Sequence, residues 1–224
     1  TGGSVSHGSG ILANGSTSLT LWNSVVANNT SGTTGSGLYL AGTTFINNVT
    51  VSGNSGTSGA GIYNNSALVI SNSTIAANTG SNQGAGIWSS GTSANLTLIN
   101  TTISGNSSSG QGGGVYIGKT ASLVNATIAG NTASTGGGIY RAAGSVTVNL
   151  LNSIVAGNTG TGTTPNPDIS GAMASLGNNI IGNTTGSSGW VGSDEQDVDP
   201  LLGTLASNGG PTLTLALLAG SPAI

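Results

Sequence analysis

Gly112-Gly113-Gly114-Val115-Tyr116, followed by Asn125-Ala126-Thr127-Ile128-Ala129-Gly130-Asn131, is one copy of a phrase that the chain repeats six times. A glycine-rich turn leads into an aliphatic residue and usually an aromatic one. A short apolar stretch follows, then Asn-x-x-(Val/Ile)-x-x-Asn. The aliphatic anchors are Ile11, Leu38, Ile62, Ile87, Val115 and Ile139, with steps of 27, 24, 25, 28 and 24 residues. The asparagine pairs are Asn23/Asn29, Asn48/Asn54, Asn72/Asn78, Asn100/Asn106, Asn125/Asn131 and Asn152/Asn158, always six apart. A period of about 25 residues with short apolar runs and no helical periodicity marks a stacked solenoid.

Inside each repeat, the residues four and two before the first asparagine alternate as strand core positions: Leu19/Leu21, Thr44/Ile46, Leu68/Ile70, Leu96/Leu98, Ala121/Leu123 and Val148/Leu150. Such period-two alternation is the signal of a strand with one face buried. Three residues after the same asparagine comes one aliphatic, from Val26 to Val155, in a second short strand. The glycine-led Ile-Tyr segment supplies a third. Three strands and three turns per repeat predict a right-handed, single-stranded parallel β-helix, all-β, with about 25 residues per rung. Coiling of the whole chain would give about nine rungs and a rod of roughly 43 Å. Stacked asparagines can bond each other along the axis, because an amide both donates and accepts, and they tolerate the left-handed backbone of turns. Both asparagines of each pair are therefore expected to form buried ladders, including Asn100 and Asn125. The eleven Asn-x-Ser/Thr triplets read as a by-product of those ladders.

Composition excludes several functions. Mean hydropathy is +0.16, yet only 3% of residues are charged, and no apolar run reaches membrane-spanning length. Lys119 and Arg141 are the only basic residues, too few for a phosphate-neutralising surface or a polybasic membrane patch. No nucleic-acid partner and no membrane insertion are expected. Cysteine is absent, which removes disulfides and thiolate chemistry. The chain opens at Thr1 and not at methionine, as a processed or partial chain would. All five acids (Asp168, Asp194, Glu195, Asp197, Asp199) and all five prolines follow residue 164. That shift divides the chain into regular rungs over 1–160 and a C-terminal module over 161–224 that continues or closes the solenoid.

The repeats resemble those of right-handed β-helix surface proteins, including bacterial polymorphic outer-membrane proteins. The Gly-Gly-Ala-Ile and Phe-x-x-Asn of that family stand here as Gly-Gly-Gly-Ile and Ile-x-x-Asn. A second resemblance covers the C-terminal third. Pro167-Asp168-Ile169-Ser170-Gly171, Leu176-Gly177-Asn178-Asn179-Ile180-Ile181-Gly182, Asp199-Pro200-Leu201-Leu202-Gly203, Asn208-Gly209-Gly210-Pro211-Thr212 and Gly220-Ser221-Pro222-Ala223-Ile224 follow one another in the order of the choice-of-anchor domain. Leu215 departs from that family, which usually carries histidine there. The resemblance implies export and surface display, and no reaction.

Candidate chemistry is sparse. Glycoside hydrolysis needs two carboxylates flanking the scissile bond, and residues 1–167 contain no Asp or Glu. His7 is the only histidine and reads as a surface or capping residue. Asp194, Asp197 and Asp199, with Glu195 among them, form the one acidic cluster. Calcium is conceivable there, but the spacing is not that of an EF-hand loop, and a solvated or structural loop is the preferred reading. Tyr39, Tyr63, Trp88, Tyr116 and Tyr140 fall in a single column, one residue after each anchor. They read either as a ladder packing on itself or as an outward row for sugar rings or a protein partner. The threonines Thr20, Thr97 and Thr147 are too irregular for an ice-binding array. A non-enzymatic, exported structural protein without cofactor is expected, used in adhesion or in filament or sheath assembly through head-to-tail or lateral self-association. A carbohydrate-binding β-helix is the alternative, and a fragment of a polysaccharide-processing enzyme the third reading.

Overall fold

The computed structural model describes residue 8, residues 10–15 and residues 17–224; His7 lies outside them. Among the described residues every regular element is a strand. They stack in parallel into a β-solenoid of about seven turns, about 25 residues per turn. The glycine-led strands Ile11–Ala13, Leu38–Leu40, Ile62–Asn64, Ile87–Ser89, Val115–Ile117 and Ile139–Arg141 pair in sequence order as one sheet. A second series runs through Ala67–Ser71, Asn95–Ile99 and Thr120–Val124, a third through Thr74–Ala76, Thr102–Ser104 and Thr127–Ala129. In the first two turns these two series are fused into the nine-residue strands Leu19–Ala27 and Thr44–Ser52, so one sheet wraps two sides of the rod.

Register keeps like over like. Ile62 lies beside Ile87 and Tyr63 beside Trp88, while Leu96 lies beside Ala121 and Ile103 beside Ile128. Each turn thereby sends about four aliphatics inward: Ile62, Leu68, Ile70 and Ile75 are all at most 1% exposed. Burial on that scale is worth about 1.5–3 kcal/mol per side chain, and it recurs at every turn, which is how so small-residue a chain offsets the entropy of ordering.

The two asparagine series part company. The inner series (Asn29, Asn54, Asn78, Asn106, Asn131, Asn158) is buried, at most 7% exposed. Each member uses its backbone N–H and its Nδ2 to donate to one oxygen on the following turn, which for the first five is the Oδ1 of the next asparagine. Asn78 does so to Asn106 at 3.0 and 2.8 Å, while its Nδ2 also donates to the Val51 carbonyl at 3.1 Å. The outer series (Asn23, Asn48, Asn72, Asn100, Asn125, Asn152) holds φ between 47° and 56° at the corner of each turn. Its side chains also bond one another, as Asn125 Nδ2 to Asn100 Oδ1 at 3.0 Å, but in contact with water. The expectation that Asn100 and Asn125 form a buried ladder is therefore corrected. Their recurring task is the left-handed corner, which turns the amide outward. The outer row also slips once, since Asn72 donates to Asn47 and not to Asn48.

The composition shift near residue 160 is no break in the coil. Ile169–Ala172, Ile180–Ile181 and Glu195–Gln196 extend the same sheets. The departure comes later, where Leu202–Ala206 and Thr214–Leu217 form an antiparallel pair. This strap runs back across the rungs on the outer side of the third series. The Leu213 carbonyl accepts from Thr74 Oγ1 at 2.6 Å, Leu215 lines one cleft with Ser104, Ala129 and Ala156, and Leu217 lines another with Ile154 and Ile180. The outward residues Thr74, Ala129 and Ala156 on that side are small and buried, whereas Val25 in the first turn is 71% exposed. Hence the coil has about seven turns and not nine.

The two series predict opposite responses to substitution. Asn106→Leu strands Asn78 N–H and one hydrogen of Asn78 Nδ2 and removes the bond that Asn106 Nδ2 gives the Ile75 carbonyl, at about 1–3 kcal/mol for each buried group left unpaired. Asn100→Gly keeps the left-handed corner and should change stability by less than about 1 kcal/mol. Urea unfolding of both variants decides the assignment; equal losses would refute it.

Candidate functional site

The aromatic column is a continuous stack. Ring centroids are 4.8 Å apart for Tyr39 and Tyr63, 4.4 Å for Tyr63 and Trp88, 6.1 Å for Trp88 and Tyr116, and 5.2 Å for Tyr116 and Tyr140. Interplanar angles of 6° to 17° leave the rings nearly parallel. All five are half-buried on the outer side of the glycine-led sheet, and burial pushes the Tyr63 and Tyr116 phenols up. Sugars stack on ring faces, and here each inner ring gives both faces to its neighbours. What reaches solvent is a row of edges. The Trp88 indole is also tied down, its Nε1 donating to Gln83 Oε1 at 3.3 Å, and Gln83 Nε2 donates to Gln111 Oε1 at 3.1 Å in a glutamine step beside the stack.

The acids turn out to finish ladders. Asp168, 2% exposed, takes the place of a seventh inner asparagine: its Oδ1 accepts from Asn158 N–H at 2.9 Å and Asn158 Nδ2 at 2.8 Å. Burial pushes its carboxyl up, partly offset by bonds from Asn158 and the Asn183 N–H. Asp194 does the same for a neighbouring row. Ser153 N–H donates to Asn179 Oδ1, and Asn179 N–H and Nδ2 donate to Asp194 Oδ1 at 3.0 and 2.9 Å. Burial would raise the Asp194 carboxyl, but bonds from Ser175, Val191 and Asn179 outweigh it and hold the group below its usual value. A carboxylate suits the last position because it only accepts, so no amide hydrogens are left without a partner beyond the end.

Asp197 accepts from Thr184 N–H and Oγ1, and Asp199 accepts from the Leu201 N–H at 2.8 Å, closing the Asp-Pro turn. The calcium grouping of Asp194, Asp197 and Asp199 is not what the coil brings together. Asp197 and Asp199 line a cleft of about 510 Å³ with Asp168, and Asp194 stands elsewhere. Among the described residues no group of three metal-ligating side chains forms. Arg141 is structural as well, donating to the Val146 and Gly144 carbonyls.

Three further aromatics stand outside the column that the repeat defines; Trp190 packs partly buried against the core, whereas Trp22 and Phe45 are exposed. Trp22 and Phe45 project from the second series and are 63% and 48% exposed, lining a shallow cleft with Thr20, Asn47 and Ser71. The sequence signal for them is their place on the outward beat of the strand alternation. Among the described residues no helix is long and apolar enough to cross a membrane. The chain matches no family model, no curated protein and no solved structure.

Replacing Tyr63, Trp88 and Tyr116 together with alanine should lower stability by about 0.5–1.5 kcal/mol per lost ring pair beyond the buried area; an unchanged Tm on calorimetry would show that the stack contributes nothing. Asp194 has a folded pKa below its unfolded one, so its stabilisation is present above about pH 4 and lost as pH falls through the folded value. The stability advantage of wild type over Asp194→Asn should shrink between about pH 5 and pH 3. A gap that stays constant or widens over that range contradicts the assignment.

Proposed function

We propose that this chain is a non-enzymatic rod from an exported surface or extracellular structural protein, serving adhesion or the assembly of a filament or sheath. One observation carries the reading. Among the described residues most side chains able to do chemistry or to grip a ligand are spent on joining turn to turn: Asp168 and Asp194 end ladders, Asp197 and Asp199 hold turns, Arg141 caps carbonyls, and the rings of the aromatic column stack on one another. What is left outside is long, regular and nearly uncharged, a surface suited to lateral contact between copies. The ordered C-terminal motifs resemble the choice-of-anchor domain, and the repeats those of polymorphic outer-membrane proteins. Both likenesses support export and surface display in a bacterial host.

The reading predicts that a panel of acidic and neutral polysaccharides incubated with the chain yields neither reducing ends nor unsaturated products. Turnover abolished by Asp168→Asn or Asp197→Asn would reject it. Electron microscopy of the chain at increasing concentration reads assembly directly.

A further inference from the structure

We propose that Asn208-Gly209 is a site of self-modification: Asn208 loses its amide by attack of the Gly209 nitrogen, and its conversion to an acid frees the tip of the strap from the coil. The proposal goes beyond the reading of the chain as a structural rod and does not depend on it. Of the chain's 25 asparagines only Asn14 and Asn208 precede glycine. Glycine matters there because it brings no side chain to crowd the approach of its own nitrogen to the asparagine amide carbon. Asn208, Gly209, Gly210 and Pro211 are all exposed, and Gly209 sits at φ 91° with no heavy atom within 4 Å of where a Cβ would stand. Among the described residues its N–H has no hydrogen-bond partner. The attacking nitrogen is therefore unencumbered.

The step needs only water. The Gly209 nitrogen bonds to Cγ of Asn208 and gives its proton to water, while Nδ2 takes up a proton and leaves as ammonia. One water then opens the resulting cyclic imide at either of its carbonyls. One opening yields aspartate; the other yields isoaspartate, in which the backbone runs through the side-chain carbon.

The task of the amide makes this conversion consequential. Asn208 Nδ2 donates to the Thr214 carbonyl and to Thr214 Oγ1, both at 3.0 Å, across the loop that joins Leu202–Ala206 to Thr214–Leu217. The same loop holds the strap to the third turn. Thr212 Oγ1 donates to the Asn72 carbonyl at 3.3 Å, and the Leu213 carbonyl accepts from Thr74 Oγ1. A carboxylate at position 208 has no hydrogen to give the Thr214 carbonyl and sets negative charge against it. Isoaspartate also lengthens the backbone within the loop. Either product dismantles the turn from which both anchors hang. The coupling runs both ways. A docked loop holds Nδ2 on Thr214 and retards its departure, a frayed loop lets it react, and the product does not dock again. Transient opening is thereby converted into lasting release.

The test ages the intact chain in mildly alkaline buffer and follows the chymotryptic fragment of residues 206–213 by mass and by isoaspartate content. Asn208 should convert ahead of every asparagine that glycine does not follow. In the converted fraction, separated by ion exchange, amide exchange at Thr214–Leu217 should be about tenfold or more faster than in the unaged chain, with exchange at Ala67–Ser71 unchanged. Asn208→Asp should show the same loss of protection without ageing. Asn208→Gln, whose longer side chain does not close that ring, should resist conversion. Thr74→Val, which cuts the bond to Leu213, should speed conversion severalfold. Conversion of Asn208 no faster than at the other asparagines overturns the modification site. Unchanged exchange at Thr214–Leu217, in the converted fraction or in Asn208→Asp, overturns the release, and an unchanged rate in Thr74→Val refutes the coupling. The polysaccharide assay bears on none of these, so the two readings fail separately.

Discussion

A single amide oxygen that accepts two hydrogens from the turn before it sets the geometry of this molecule. The pair of bonds fixes both the height and the rotation of one turn on the next, and it repeats from Asn29 to Asp168. Because the backbone N–H is one of the two donors, the acceptor is unambiguous and the ladder has a direction. It also dictates the glycines. A Cβ on Gly61 would stand 2.6 Å from the Gly86 carbonyl and 2.9 Å from Asn78 Nδ2, and Gly37, Gly86 and Gly114 meet comparable obstacles. The glycine of one strand and the asparagine packed against it are thus two halves of one contact, and neither can vary alone.

Direction explains the uneven charge of the chain. A row of amides that all donate forward needs, at its forward end, a group that accepts and donates nothing. Asp168 and Asp194 are such groups, and they lie in the C-terminal third because that is where the rows stop. The change in composition near residue 160 is real, but it records the end of ladders inside one continuing coil and not the start of a separate unit.

Most of the coil was legible in the sequence because its signals are local and repeated. Anchor spacing located the glycine-led strands, and alternation at Leu68/Ile70 and Leu96/Leu98 assigned the core correctly. Burial of the asparagines was legible only in part. Six-residue spacing links Asn100 to Asn106, yet one stands at a corner in water and the other inside, and spacing alone does not say which. The strap was not legible at all. Nothing local marks it: the residue that holds Leu213, Thr74, and those that line a cleft with Leu215, Ser104 and Ala129 among them, lie far away in the chain. The smallness of the outward residues at those positions was the available hint. For the aromatic column, position and side could be read from the repeat. Ring orientation, which decides whether faces or edges meet solvent, could not.

The strap also bears on how the rod answers force. Tension along the axis loads the bonds between turns, and in a bare solenoid the end turn can peel away before its neighbours are strained. Here a segment bonded at Thr74 and reaching a cleft shared with Ile180 crosses the intervening turns. Pulling those turns apart must first shear the segment along its bed, so the spanned turns yield together and not one by one.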